Sequence, residues 1–432
     1  MIDSTLKIDP ILHPLSATVR VPGSKSLTNR ALLIAALANG KTRLSNALFS
    51  DDSIYFAKAL QTLGFDIQLD EANREMTVIG LGGKIPSTKA ELFIGNAGTA
   101  ARFLSAFLTL GHGEYLLDGE PRMRERPIGD LVDALQQLGV ELEATNDCPP
   151  VQIFAKGLPG GKTKIAGKIS SQFLSALLMV APYAKFPTEI QLTTELNSKP
   201  YVDMTIAVMN EFGLSIERED YSRFTIYPAT YLPIPNYQVE SDASAASYFF
   251  AASAICGGSV RVENISRTSK QGDIAFLDVL ARMGCEIREM ENSIEVTGIA
   301  SLQGIDVDMS DIPDTAQTLA VIAPFASSPT RIRGIASARV KETDRVHGTC
   351  VELGRLGVSV EEHEDGMTIY PCTAFEPGTI QTYNDHRMAM AFSLVGLRFD
   401  GVTIENPTCV SKTFPDYFEV LDSLRSTESD VS

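Results

Sequence analysis

The chain has 432 residues, 44% hydrophobic and 21% charged, enough for two or more domains with ordinary cores. A formal net charge of −17 argues against general nucleic-acid binding, which needs a basic face, but leaves room for a local cationic pocket. No apolar run approaches bilayer-spanning length, and the N-terminal MIDSTLKIDP has neither signal- nor transit-peptide character.

The six cysteines (Cys148, Cys256, Cys285, Cys350, Cys372, Cys409) are dispersed, with no CxxC pair. We therefore expect no disulfide or zinc framework, and a cytoplasmic location. In chain order, Leu6–Val21 is strand-like. Ala31, Leu32, Leu33, Ala35, Ala36 and Leu37 then predict a helix of small and unbranched residues, stopped by a left-handed turn at Asn39-Gly40. Thr42 and Leu44 read as a short strand turning at Asn46. Ser50-Asp51-Asp52 caps a second helix through Leu63 to Gly64, and strands follow near Phe65–Leu69 and Met76–Ile79.

This succession repeats. A hydroxyl or acidic cluster, an Ala-rich apolar run, a charged turn and an alternating strand recur at Ser26–Asn46, Thr99–Gly119, Ser171–Thr193, Asp242–Asn264, Asp314–Gly334 and Asp385–Asn406. Helices ending hydrophobic–Gly recur at Gly64, Gly139, Gly213, Gly284 and Gly357, a spacing of about 70–75 residues that marks repeated supersecondary units. Each unit is expected to be βαβαββ, an α/β class with mixed sheets. The sixth has its second helix (Asp416–Leu424) but no β-pair, so the N-terminal segment is expected to complete it. Two three-unit domains follow: residues 22–240, and a discontinuous one of residues 1–21 with 241–432. Pro228–Asn236 has the composition of a connector.

The helix starts carry the chemistry. In PGSKSLTNR a Gly/Ser turn opens a helix beside Lys25, Ser26 and Arg30, suited to an anion, although the GxxxxGK[ST] spacing of a P-loop is absent. GNAGTAAR places Asn96, Gly98 and Arg102 similarly, and PRMRERPIG adds Arg122, Arg124 and Arg126. Ser170-Ser171-Gln172 and Ser198-Lys199-Pro200-Tyr201 supply neutral donors. Asp242 and Asp314 stand at later helix starts. RVKETDR is expected to put Lys341 and Arg345 on one helix face beside Glu342, NDHR carries His386 and Arg387, and Lys412 lies in a turn. Each stretch alone reads equally as a helix cap or a solvated charge cluster. Eight cations (Lys25, Arg30, Arg102, Arg126, Lys341, Arg345, Arg387, Lys412) on one repeated position suggest a cleft lined from both domains, holding a polyanion or two anions.

PGSKSLTNRAL, GNAGTA, RMRERPI, SSQFLSALL, NSKPYVD, SDASAASY, IPDTAQT, RVKETDR, YNDHRMAM and SKTFPDYF together resemble, collinearly over essentially the whole chain, the EPSP synthase family of enolpyruvyl transferases. The resemblance implies a two-domain inside-out α/β barrel fold, each domain of three βαβαββ units, with the active site in the interdomain cleft. It implies transfer of the enolpyruvyl group of phosphoenolpyruvate to the 5-hydroxyl of shikimate 3-phosphate, with no cofactor and no metal, by a monomer whose partners are small molecules only. Lys25, Ser26, Arg30, Ser170, Ser171, Gln172, Ser198, Tyr201, Asp314, Ser337 and Lys341 match shikimate 3-phosphate contacts. Lys25, Asn96, Gly98, Arg126, Gln172, Arg345, Arg387 and Lys412 match the phosphoenolpyruvate side. Lys25, Asp314, Glu342, Lys412 and His386 match the catalytic positions.

Two positions depart from the common pattern. Phe103 follows Arg102 where many members have Pro, which is expected to shift that helix and Gly98, and with them glyphosate affinity. Ser337 stands where Asn is frequent and keeps one donor for the substrate phosphate. The sister enzymes acting on UDP-N-acetylglucosamine carry a reactive cysteine loop in the first domain, whereas PRMRERPI has no Cys. A non-catalytic anion-binding relative is the other alternative, and the joint presence of Lys25, Asp314, Glu342 and Lys412 argues against it.

Overall fold

The computed structural model describes residues 5–425. It resolves into two compact units: one is Gly23–Glu240, and the other takes the chain up to Pro22 and from Ser241 onward.

Gly23–Glu240 holds three repeats, each a four-stranded sheet with two helices. The first uses α1 (Lys25–Leu37) and α2 (Asp51–Thr62) with strands in the order Tyr237–Gln238, Asn39–Ser45, Glu75–Leu81, Asp66–Asp70. The second uses α3 (Gly98–Leu108) and α4 (Gly129–Gln137) with Lys89–Phe93, His112–Asp118, Cys148–Lys156, Glu141–Thr145. The third uses α5 (Ser171–Val180) and α6 (Lys199–Glu211) with Gly161–Ile165, Thr188–Leu192, Arg223–Ile226, Glu217–Glu219. In each sheet the first pair is parallel and the remaining pairs are antiparallel; in the second and third sheets the parallel strands are joined by a helix crossover, through α3 and α5.

The other unit repeats this plan with four-stranded sheets in its first two repeats and, among the described residues, a three-stranded sheet in its last. The fourth repeat has α7 (Ala243–Cys256) and α8 (Phe276–Arg282), the fifth α9 (Ala316–Ile322) and α10 (Arg345–Arg355), and the sixth α11 (His386–Arg398) and α12 (Tyr417–Ser423). The N-terminal segment does not act as one strand completing the sixth repeat. Thr5–Lys7 closes that sheet antiparallel to Val402–Glu405, but Leu15–Val19 pairs parallel with Gly258–Glu263 and opens the fourth. Pro10 and Pro14 lie in the break, and neither has an N–H to continue a ladder. Tyr237–Gln238 likewise precedes α7 in the chain yet pairs with Asn39–Ser45, so the last strand before the chain passes from one unit to the next opens the first repeat of the unit being left.

Helices fill the centre of each unit. Every residue of α3 is buried, as are Leu27–Leu37 of α1 and His386–Leu397 of α11, whereas the strand Cys148–Lys156 alternates between a buried and a more open face. Sheets therefore form the outside and Ala-rich helices the inside, because small side chains let helices approach closely all round. Each unit has its own apolar core.

The second-helix glycines behave as their spacing predicts, at φ +96° (Gly64), +85° (Gly139), +83° (Gly213), +107° (Gly284) and +79° (Gly357). Asn39-Gly40 does not form the expected left-handed stop. α1 ends at Leu37, Ala38 is extended, and Asn39 already pairs in the strand, because the helix end rests on Gly80, where a Cβ would lie 2.1 Å from Ala35 O. Pro228–Asn236 is more than a connector: Tyr231 within it is fully buried, and its hydroxyl donates to Met179 O at 3.0 Å.

Candidate active site

In Gly23–Glu240 the candidate residues gather at the starts of α1, α3, α5 and α6. Ser24 caps α1 by accepting from Leu27 N, and Lys25 follows with Nζ 3.4 Å from Asp52 Oδ2 in the first turn of α2. Arg30, one turn on, is buried. Its Nε donates to Thr205 Oγ1 (2.8 Å), Nη1 to Ser26 O (3.0 Å), and Nη2 to Ser175 Oγ (3.4 Å) and Tyr201 O (3.0 Å). Four of its five N–H groups thus join α1, α5 and α6 through neutral acceptors. Burial without a carboxylate pushes its guanidinium down to about 10.

Phe103 packs fully buried beneath Arg30, its ring centroid 5.3 Å from Cζ and 6.5 Å from that of Phe56. It therefore bears on the site through Arg30. At the head of α3, Arg126 Nη1 donates to Asn96 O and Oδ1, both at 3.1 Å. A Cβ on Gly98 would lie 2.5 Å from Arg126 Nη2, so only glycine leaves the guanidinium this place. Arg102 braces the loop by donating to Gly98 O and Pro127 O. Gln172 Nε2 donates to Thr99 Oγ1 at 3.3 Å, joining the starts of α5 and α3, while Ser170 caps α5 ahead of Ser171. Ser198 sits in the left-handed region (φ +58°) and turns the chain into α6. Arg122 and Arg124 point elsewhere and form ion pairs with Glu125 and Asp118.

In the other unit a charge network joins four helix starts. Asp314, in a 3-10 turn before α9, accepts from Arg345 Nη1 (3.2 Å) and Arg387 Nη2 (2.8 Å). Arg345 also makes a forked pair with buried Asp385 (2.8 and 3.2 Å) and donates to Glu342 Oε2 (2.8 Å), whose other oxygen is 3.7 Å from Lys412 Nζ. Burial alone would lower the Arg345 guanidinium, but Asp385, Glu342 and Asp314 outweigh that and hold it higher. Arg387 reaches Tyr248 Oη at 3.5 Å, and buried His386 has Nδ1 3.6 Å from Asp385 Oδ1. Behind them lies Asp273, buried and accepting from Ser244 Oγ at 2.5 Å. Burial first and Asp314 second push its carboxyl up to about 6.

Lys341 and Arg345 do not share a helix face. Residues 341–343 form a bend, and α10 begins only at Arg345, because Asp344 caps it by accepting from His347 N. Ser337 lies in the preceding 3-10 turn, and Lys341 follows it half-buried. Sequence reasoning placed Asp52 and Asp385 only at helix starts, gave Thr205 and Asp273 no role, and put none of the four in the site. Asp385 had a signal, as the acidic residue capping α11. The cations of this unit are not pooled: Arg345, Arg387 and Lys412 interleave with Asp314, Glu342 and Asp385. Among the described residues no group of three or more His, Cys, Asp or Glu is placed to hold a metal ion.

Helical cores wrapped by sheets, with charged residues at repeated helix starts, describe the architecture, and comparison with known proteins gives the family. The family model for EPSP synthase (3-phosphoshikimate 1-carboxyvinyltransferase) matches residues 11–421, and the chain belongs to that family. It is 50% identical over 416 residues to the 3-phosphoshikimate 1-carboxyvinyltransferase of Trichormus variabilis, covering 96% of this chain and 97% of that one. It is 49% identical to the chloroplastic enzyme of Brassica napus, covering 98% and 85%. The solved EPSP synthase of Acinetobacter baumannii superposes with a TM-score of 0.81 at 26% identity, covering 97% and 98%.

Proposed function

We propose that this chain transfers the enolpyruvyl group of phosphoenolpyruvate to the 5-hydroxyl of shikimate 3-phosphate, giving 5-enolpyruvylshikimate 3-phosphate and phosphate. The observation that carries the assignment of roles is Asp314 held by two guanidiniums beside the Glu342–Lys412 pair. A carboxylate so fixed can take the proton of an attacking hydroxyl while the arginines hold an adjacent anion.

In the addition step the 5-oxygen bonds to C2 of phosphoenolpyruvate. Asp314 accepts the hydroxyl proton, and Glu342 protonates the methylene carbon. In the elimination step that carbon returns a proton to Glu342, the C2–O bond to phosphate breaks, and phosphate departs against Lys25, carrying away the proton that Asp314 had taken, so that both carboxyl groups regain their starting states. Lys412 and His386 support these transfers. Arg126, Arg345, Arg387, Lys412, Asn96, Gly98 and Gln172 hold phosphoenolpyruvate. Ser26, Arg30, Ser170, Ser171, Gln172, Ser198, Tyr201, Ser337 and Lys341 hold shikimate 3-phosphate, with Lys25 touching both. The enzyme acts as a cytoplasmic monomer. Six free cysteines suit a reducing compartment, and no described helix is long and apolar enough to cross a membrane.

The test is phosphate release from phosphoenolpyruvate with shikimate 3-phosphate or UDP-N-acetylglucosamine as acceptor. Release that requires shikimate 3-phosphate and disappears in Lys25→Ala supports the proposal. Release only with the nucleotide sugar, or with neither, overturns it.

A further inference from the structure

Between the strand Gly378–Ile380 and α11, Tyr383 (φ +53°) and Asn384 (φ +55°) are consecutive non-glycine residues in the left-handed region. Each such residue is disfavoured by the clash of its Cβ with the backbone and persists only where its surroundings enforce it. The next residues are Asp385, forked to Arg345, and Arg387, bonded to Asp314. A relaxed loop would move both.

Glu352 of α10 is what holds the loop. Its side chain is fully buried; Oε2 accepts from Gln381 N (3.1 Å) and Oε1 from the Tyr383 hydroxyl (2.7 Å). Arg355 donates to both oxygens, at 2.9 and 3.4 Å, balancing the charge. The Tyr383 ring lies over Gly348, where a Cβ would stand 3.4 Å from Cε2. Beyond the strained pair, Asn406 Nδ2 donates to Asn384 Oδ1 (3.1 Å) and Asp385 N to Thr382 O (2.8 Å). The tyrosine hydroxyl, pushed up to about 12 by burial and then by Glu352, stays a donor throughout the neutral range.

The geometry points to Glu352 and Tyr383 as positioning residues that clamp the Gln381–Asp385 turn and so set Asp385, Arg345 and Arg387 for the phosphoenolpyruvate anion. Neither is a catalytic residue, and the inference rests on the proposed role of Arg345 and Arg387. It gives a carboxylate outside the charge network a function, and it explains an energetically costly turn beside the site.

Tyr383→Phe removes one hydroxyl and leaves the ring in place. Because apparent affinity scales with the fraction of protein in the competent conformation, the KM for phosphoenolpyruvate is expected to rise about fivefold to tenfold. The KM for shikimate 3-phosphate should not change, and the urea unfolding midpoint should fall only slightly, because Glu352 loses one buried hydrogen bond but keeps Arg355. Glu352→Gln with Tyr383→Phe should cost no more than the worse single variant, since both break one clamp. Adding Asn384→Gly to Tyr383→Phe should recover part of the affinity, because glycine occupies that conformation without strain.

Arg387→Ala serves as the reference. A wild-type KM for phosphoenolpyruvate in Arg387→Ala overturns the site assignment and the clamp with it. A wild-type KM in Tyr383→Phe beside a defective Arg387→Ala overturns the clamp alone, as does an equal rise in both substrates' KM values.

Discussion

Replacing Gly98 by Ala tests the head of α3 most directly. The added Cβ would stand 2.5 Å from Arg126 Nη2, 2.8 Å from Cζ and 2.9 Å from Nη1. Ordinary contact needs about 3.5 Å, so the guanidinium must retreat by roughly 1 Å. That retreat strains both 3.1 Å bonds to Asn96 and misaligns the cation assigned to phosphoenolpyruvate. One charge-assisted hydrogen bond contributes about 1.5–3 kcal/mol, which corresponds to a rise of about 10- to 150-fold in the KM for phosphoenolpyruvate. Stability should move the other way or not at all, since Ala is the better helix former by up to about 1 kcal/mol. The assay is steady-state phosphate release with phosphoenolpyruvate varied at saturating shikimate 3-phosphate, alongside urea unfolding. An unchanged KM would refute the reasoning, because it would show that displacing the Arg126 guanidinium leaves phosphoenolpyruvate binding untouched.

Two further outcomes are expected. Arg30→Leu strands the polar partners that Arg30 now satisfies in the core and should destabilise Gly23–Glu240 by roughly 2–4 kcal/mol in urea unfolding, with no measurable loss counting against the inter-helix role. Asp273 is raised to about 6 from 3.8, so the stability it contributes is fully present below 3.8 and lost as pH rises through about 6. Asp273→Asn should therefore be more stable than the parent at pH 8 by at most about 3 kcal/mol, with the gap closing in acid, and a gap independent of pH would contradict this.

What the sequence determined by itself was whatever depends on a few neighbouring residues. Gly213 ends its helix with a positive φ because the next residues must turn at once, and Asp242 and Asp385 cap theirs because a carboxylate two or three residues ahead of a bare N–H accepts from it. The repeat period therefore announced the βαβαββ plan. The helix placed across Lys341–Arg345 failed for a reason of the same local kind, since Asp344 caps at its own position. Tertiary structure decided the rest. Nothing near Leu15–Val19 tells it to pair with Gly258–Glu263 rather than join Thr5–Lys7 in the sixth sheet. Nothing near Arg30 shows that Thr205 will take its Nε, or near Arg345 that Asp385 will fork to it. Such partners lie 175 and 40 residues apart, and a buried cation selects among distant acceptors only once the packed helices bring them within reach.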